Sequence, residues 1–230
     1  MKRGILLVMA ITISLISHAQ SGTIKVFNGK VIEGDFFLKK LYFFDNFTDG
    51  RIRLSDGTVY EGKLNVNTMT QSVRVITDTR DTISIKTERM VETISAGNSF
   101  FFKMNGFYIQ VLNTDGFSSL GISRVMKIGQ ERIEGAYGGS NEVSSIAKLS
   151  SVDVENRLEM IKGSSNVKYD YIEKLYLIKD GKLLPVTKKN IQKLYPKKRA
   201  LIDKYISENN TRFNNNESVI NLYNFIVSNN

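Results

Sequence analysis

Phe100-Phe101-Phe102-Lys103-Met104-Asn105-Gly106-Phe107-Tyr108-Ile109-Gln110-Val111 is the stretch that decides the fold class. Asn-Gly between two apolar runs is the strongest short-range hairpin signal, because both turn positions need positive φ. Folding about that turn sets Met104 against Phe107, Phe102 against Ile109 and Phe100 against Val111. These side chains then share one face, and such a face is expected to be core.

The same punctuation recurs along the chain. Asn-Gly or Asp-Gly pairs stand at 28–29, 49–50, 56–57, 105–106, 115–116 and 180–181. Four or more are expected to close hairpins, which predicts a mainly β protein: an antiparallel hairpin meander, sandwich or open barrel-like sheet. Two of the pairs head a short repeat, Asn28-Gly29-Lys30-Val31-Ile32-Glu33-Gly34 and Asp56-Gly57-Thr58-Val59-Tyr60-Glu61-Gly62. In both copies the apolar phase changes at the second glycine, so a β-bulge is expected at Gly34 and Gly62. The motif resembles MORN repeats, but their further spaced glycines are missing, which leaves two related hairpins and not a solenoid.

Val73/Val75 and Ile83/Ile85 flank a turn at Asp78–Asp81, and Phe117–Ile128 is a weaker mixed stretch. Glu134–Ser145 is Gly/Ser-rich and reads as a loop. Strands are expected again over Val152–Ile161, Val167–Ile178 and Leu183–Val186. Beyond Val186 the spacing turns helical. Thr187 is an N-cap candidate for a helix carrying Ile191 and Leu194, and Pro196 suits a first helical position. Leu201, Ile202, Tyr205 and Ile206 mark a second helix; Val219, Leu222, Tyr223 and Ile226 mark a third. The organisation expected is a signal peptide over 1–19, a β-rich body over 20–186 and a basic helical tail of about three short helices over 187–230.

Lys2 and Arg3 precede the apolar run Gly4–Ile16, and Ser17-His18-Ala19 offers small residues to a signal peptidase. The run is short for a membrane span, so cleavage after Ala19 is expected, with no transmembrane segment in the mature chain. The chain has no cysteine, and its one histidine, His18, leaves with the leader. That removes Ser–His and Cys–His nucleophiles, imidazole acid–base chemistry, and thiolate or imidazole metal sites. No cofactor and no metal are expected. Net charge is +9 overall and +7 once Lys2 and Arg3 are removed, a balance that speaks to association and not to fold.

Three stretches carry a family resemblance: Asp49–Leu64, Gly135-Ala136-Tyr137-Gly138-Gly139-Ser140, and Tyr176–Ile226 with its Lys-Asp-Gly-Lys-Leu-Leu-Pro-Val and Tyr195-Pro196-Lys197-Lys198. In these the chain resembles a widespread group of exported Bacteroidota proteins for which no activity is established. The resemblance implies an envelope location and a β-rich fold, and it transfers no functional residue.

Ser145-Ile146-Ala147-Lys148 fits S-x-x-K, a nucleophile arrangement that needs no histidine. Its companion motifs are absent, and four-residue matches arise often by chance. Glu131/Glu134 and Asp153/Glu155 are carboxylate pairs of the type glycoside hydrolysis uses, but sequence cannot set them across a cleft. Tyr137 stands in the Gly/Ser-rich loop as a binding candidate. The sharpest charge feature is the tail, where Lys188, Lys189, Lys193, Lys197, Lys198 and Arg199 are met across 182–204 by one acid, Asp203. A basic amphipathic helix can grip an anionic lipid surface or a polyanion. The apolar stripe here is narrow and has no Trp or Phe at its edge, so a solvated outer face is the better reading.

The function expected from sequence is that of a non-catalytic exported protein, not an enzyme. It would act as a binding or scaffolding module for a protein or other envelope component. Its place would be the periplasm, the periplasmic face of the outer membrane, or outside the cell. The alternatives are a histidine-free hydrolase or a protein that binds anionic lipid or polyanion; nucleic acid is disfavoured in an exported chain.

Overall fold

The computed structural model describes residues 18–76, 82–84, 90–129 and 158–229, with residues 18 and 82–84 described by backbone alone. Its strands are β1 His18–Phe27, β2 Lys30–Glu33, β3 Thr48–Leu54, β4 Val59–Asn67, β5 Ser72–Ile76, β6 Thr82–Ser84, β7 Val91–Ala96, β8 Ser99–Met104, β9 Phe107–Thr114, β10 Ser119–Ile128, β11 Ser164–Lys179 and β12 Lys182–Pro185. Among the described residues all twelve belong to one antiparallel sheet, in the order β2-β1-β11-β10-β9-β8-β7-β3-β4-β5-β6, with β12 beside the far end of β11. The protein is mainly β, as its turn signals predict. Two long-range pairings, β1 with β11 and β3 with β7, interrupt the simple meander.

Five of the six Gly-containing pairs close hairpins. Asn28-Gly29, Asn105-Gly106 and Asp180-Gly181 hold two successive positive φ angles, the type I′ requirement. Asp49-Gly50 does not turn; it lies inside β3, with Gly50 opposite both Gly62 and Ala96. A Cβ at Gly50 would run into the Ser95 carbonyl oxygen, so glycine serves close backbone approach there. The expected bulges are also placed differently. Gly34 caps the N-terminus of a helix, α1 (Asp35–Lys40), that carries Phe36 and Leu38; the slip in register falls at Ile32. The β3–β4 pairing runs unbroken through Gly62. What changes beyond that glycine is burial: Val59–Glu61 is exposed, whereas Leu64, Asn65, Val66 and Asn67 are all buried.

The β8–β9 register is the expected one, with Phe100 opposite Val111, Phe102 opposite Ile109 and Met104 opposite Phe107. The face is not. Phe101 and Tyr108, on the other side of the hairpin, are fully buried; of the six residues expected in the core only Ile109 is, and Phe100 is 45% exposed. The reason is where the covering layer lies. Phe43 and Phe44, in the segment after α1, meet Phe101 edge-on with ring centroids 5.1 and 5.7 Å away. Asn65 holds that segment by bonds to the Phe44 N–H (3.1 Å) and carbonyl (2.8 Å).

The sheet also curls towards the Phe101 side. The β4–β5 turn reaches across to β8, β9 and β10. There the Met126 N–H donates to the Thr68 carbonyl at 2.9 Å, and the Gln71 side chain bonds the Arg124 carbonyl (2.9 Å) and the Tyr108 N–H (3.1 Å). Ile52, Leu64, Val66, Val73 and Ile94 close with Phe101 and Tyr108 into one core. A second core joins Ile24, Val26, Phe37, Met126, Tyr169 and Tyr171 under α1. Leu158 and Ile161 belong to it; Leu158 and Glu159 form a helical turn where a strand is expected, and 152–157 lie outside the described residues.

The C-terminal helices are α2 (Lys188–Leu194), a 3-10 turn (Pro196–Lys198), α3 (Arg199–Glu208) and α4 (Asn216–Ser228). Thr187 caps α2 by accepting from the Asn190 N–H, as its position predicts, and Asn215 caps α4 through the Ser218 N–H. Ile191, Tyr195, Ile202, Val219, Leu222, Tyr223 and Ile226 pack with Leu120, Ile122, Leu175 and Leu177 of β10 and β11. The tail thus shares a core with the body.

Candidate functional site: the tail joint and the open sheet face

Three places on this frame concentrate side-chain chemistry. The first is the joint between tail and sheet. The β9–β10 turn is locked by Asp115, whose Oδ1 accepts from the Phe117 N–H (2.9 Å) and the Ser118 N–H (2.7 Å). Ser118 Oγ, buried, lies 2.7 Å from the Tyr195 hydroxyl and 3.0 Å from that of Tyr223. Tyr195 donates to Asp115 Oδ2 at 2.9 Å. Burial is the main cause that pushes both phenols above their ordinary range. Both phenols stay protonated, and Asp115 accepts from three donors. The cluster fastens the tail to the sheet.

The cations named from the tail sequence are distributed around this joint. Lys188 pairs with Asp203 at 2.5 Å, and Lys198 donates to the Ile226 carbonyl at 3.0 Å while lying over the Tyr195 ring. Both therefore hold the tail together, Lys198 at the carbonyl end of α4 where a cation is favoured. Lys189, Lys193, Lys197 and Arg199 are exposed, and among the described residues none has a carboxylate within 4.0 Å. Tyr137, Ser145, Lys148, Glu131, Glu134, Asp153 and Glu155 lie outside the described residues.

The second place is a polar chain crossing the covered face of β8 to β11. Gln110 donates to Ser99 Oγ (2.9 Å) and accepts from Arg124 Nη1 (3.0 Å); Arg124 Nε and the Tyr171 hydroxyl both reach Glu173 Oε1 at 3.0 Å. Phe43 covers the guanidinium at 5.0 Å. Three of the four links are cross-strand or diagonal and the fourth, Tyr171 to Glu173, runs along β11, so the chain ties β8, β9, β10 and β11 together. Burial, the largest cause, and then the Glu173 charge push the Tyr171 hydroxyl far up, so it stays protonated and donates to Glu173.

The third place is the face opposite the core, open at Phe100, which is 45% exposed, while Ile109 and Ser123 on the same face are buried. Successive cross-strand partners set Arg51, Ser95, Phe100, Val111, Gly121 and Tyr176 in one row. The next row reads Arg53, Thr93, Phe102, Ile109, Ser123 and Lys174. The centre is apolar and aromatic and its margins are charged. Arg51 and Arg53 are held by Glu61 (2.7 Å) and Glu92 (3.5 Å). Among the described residues no helix packs on this face. A shallow depression of about 400 Å³ lies at its margin, over Asp49, Arg51 and Glu61, with those charges already paired.

Two of these features were within reach of the sequence. An aromatic directly after Asp115-Gly116, at a turn tip, marks an exposed ring, and the apolar residues alternating on both faces of β8–β9 allow either face to be the outer one. The Arg124–Glu173 link, across 49 positions, leaves no local signal.

Compared with protein-family models, curated proteins and solved structures, the chain has no match.

Proposed function

We propose that this chain is a non-catalytic exported protein of the cell envelope, as the Bacteroidota resemblance implies, and that it binds a protein or other envelope component. The observation that carries the reading is the open face of β8 and β9. A soluble domain gains nothing from leaving Phe100 half in water beside Phe102, Met104 and Phe107, and apolar patches rimmed by polar residues mark contact surfaces. The paired Arg51 and Arg53 at the margin fit the polar rim such interfaces carry. The lack of His and Cys after residue 19 agrees with recognition in place of catalysis.

The test is photo-crosslinking in native envelopes from a reactive aromatic placed at position 100, compared with one at exposed Glu208 on α3. A discrete adduct from position 100 alone, lost when Phe102→Ser is added, is the expected result. Absence of any adduct, or turnover of a glycan or peptide library by the purified protein, refutes the reading.

A further inference from the structure

The basic stretch 182–204 has no Trp or Phe at the edge of its apolar stripe, but the fold places a Phe beside it. Phe117, half exposed at the tip of the β9–β10 turn, packs edge-on against Tyr195 with ring centroids 6.1 Å apart. Lys179 Nζ lies 3.4 Å from the Phe117 ring centroid, a cation–π contact. Lys182 is the direct cross-strand partner of Lys179. Pro196 and Lys197 follow Tyr195, and exposed Arg199 opens the next helix.

One end of the sheet thus presents an aromatic ring beside cations from two stretches of chain, the β11–β12 hairpin and the tail. The acids nearby are engaged: Asp115 with the Tyr195 hydroxyl and two backbone N–H groups, Asp180 with Lys179 at 3.4 Å. Lys182, Lys197 and Arg199 have no carboxylate within 4.0 Å among the described residues. Lys179 and Lys182 are like charges directly opposite on paired strands, an arrangement that is destabilising by itself, and Asp180 meets Lys179.

We infer that this end of the molecule, Phe117 with Lys179, Lys182, Lys197 and Arg199, is a docking surface for an anionic lipid bilayer. The ring would enter the headgroup boundary while the cations meet lipid phosphates, the pairing that interfacial binding requires. A half-exposed ring in contact with one of the cations favours a bilayer over a soluble polyanion, which would need the charges alone. The surface lies apart from the open face around Phe100 and does not depend on the function proposed for that face.

The test is co-sedimentation of residues 20–230, so that the apolar run 4–16 cannot itself bind lipid. The vesicles are phosphatidylcholine alone or in equal mixture with phosphatidylglycerol. Binding to the mixed vesicles, weakening with salt, is expected. Each neutralised cation should lower partitioning about fivefold, so K182Q/K197Q/R199Q loses about a hundredfold. Phe117→Ser should lose roughly tenfold, while Phe100→Asp binds vesicles like the parent. Far-UV circular dichroism checks that each variant is folded. Equal binding to neutral vesicles, no binding to mixed vesicles, or full retention by Phe117→Ser overturns the inference. Salt-sensitive binding to heparin without vesicle binding also overturns it and assigns the cations to a soluble polyanion.

Discussion

Phe101→Ala and Phe100→Ala are neighbouring substitutions in one strand, and the fold predicts very different costs for them. Phe101 has no exposed surface and meets Phe43 and Phe44 edge-on. Truncating a buried Phe removes its transfer free energy and leaves a cavity, about 3–5 kcal/mol together. The two aromatic contacts place the value in the upper half of that range, since each is worth about 0.5–1.5 kcal/mol beyond burial. Phe100, 45% exposed, gives up only part of a smaller burial term, about 1 kcal/mol. Against a total stability of about 5–15 kcal/mol, the first change removes a third or more and the second little. In melting temperature the gap is about 10 °C for a chain of this size. Urea unfolding followed by tyrosine fluorescence and by far-UV circular dichroism measures both, since the chain has no tryptophan. Equal losses for the two variants would refute the assignment of faces, and with it the open surface on which the proposed function rests.

Gly50→Ala should cost more than 2 kcal/mol, because its Cβ would press on the Ser95 backbone and not on a movable side chain; retained stability in urea would contradict the close approach of β3 and β7. Thr187→Ala should cost about 1 kcal/mol through loss of the α2 cap, read by the same titration, with Thr187→Ser close to the parent. Stability should fall in alkali. Tyr195 and Tyr223 keep their protons in the folded state beyond the ordinary tyrosine value of 10.0, so their contribution is complete below that pH and declines above it as the unfolded chain ionises. Tyr195→Phe with Tyr223→Phe should flatten that decline in a pH series of urea midpoints, and an unchanged slope would count against the hydroxyl joint.

What could be read from the chain beforehand was local. Asn105-Gly106 fixes its hairpin because the turn demands positive φ from both residues, and Thr187 announces a helix because its side chain satisfies a nearby N–H. Asp49-Gly50 has the same composition as a turn yet sits within β3, since glycine also serves where backbones crowd, and only the partner strand reveals which. The face of β8–β9 is ambiguous in the sequence for a related reason. Phe100, Phe102 and Phe101 are equally apolar, and the choice among them is made by Phe43 and Phe44, nearly sixty residues away. α1 escaped notice because its six residues are too few for helical spacing to stand out between strands. The tail was legible as helices, but not the aromatic beside it, because Phe117 and Tyr195 meet only once the sheet is built.

The pairing of β1 with β11 sets an order on biosynthesis. His18–Phe27 must wait for Ser164–Glu173 before its inner edge is satisfied, and α4, which packs on Leu175 and Leu177 further along β11, is made later still. During translation the leading strand has only the short β2 to pair with, too little for a stable ribbon in water. The β1 edge of the sheet therefore knits only after the last third of the chain has been made, whereas the local hairpins from β3 to β9 can pair beforehand.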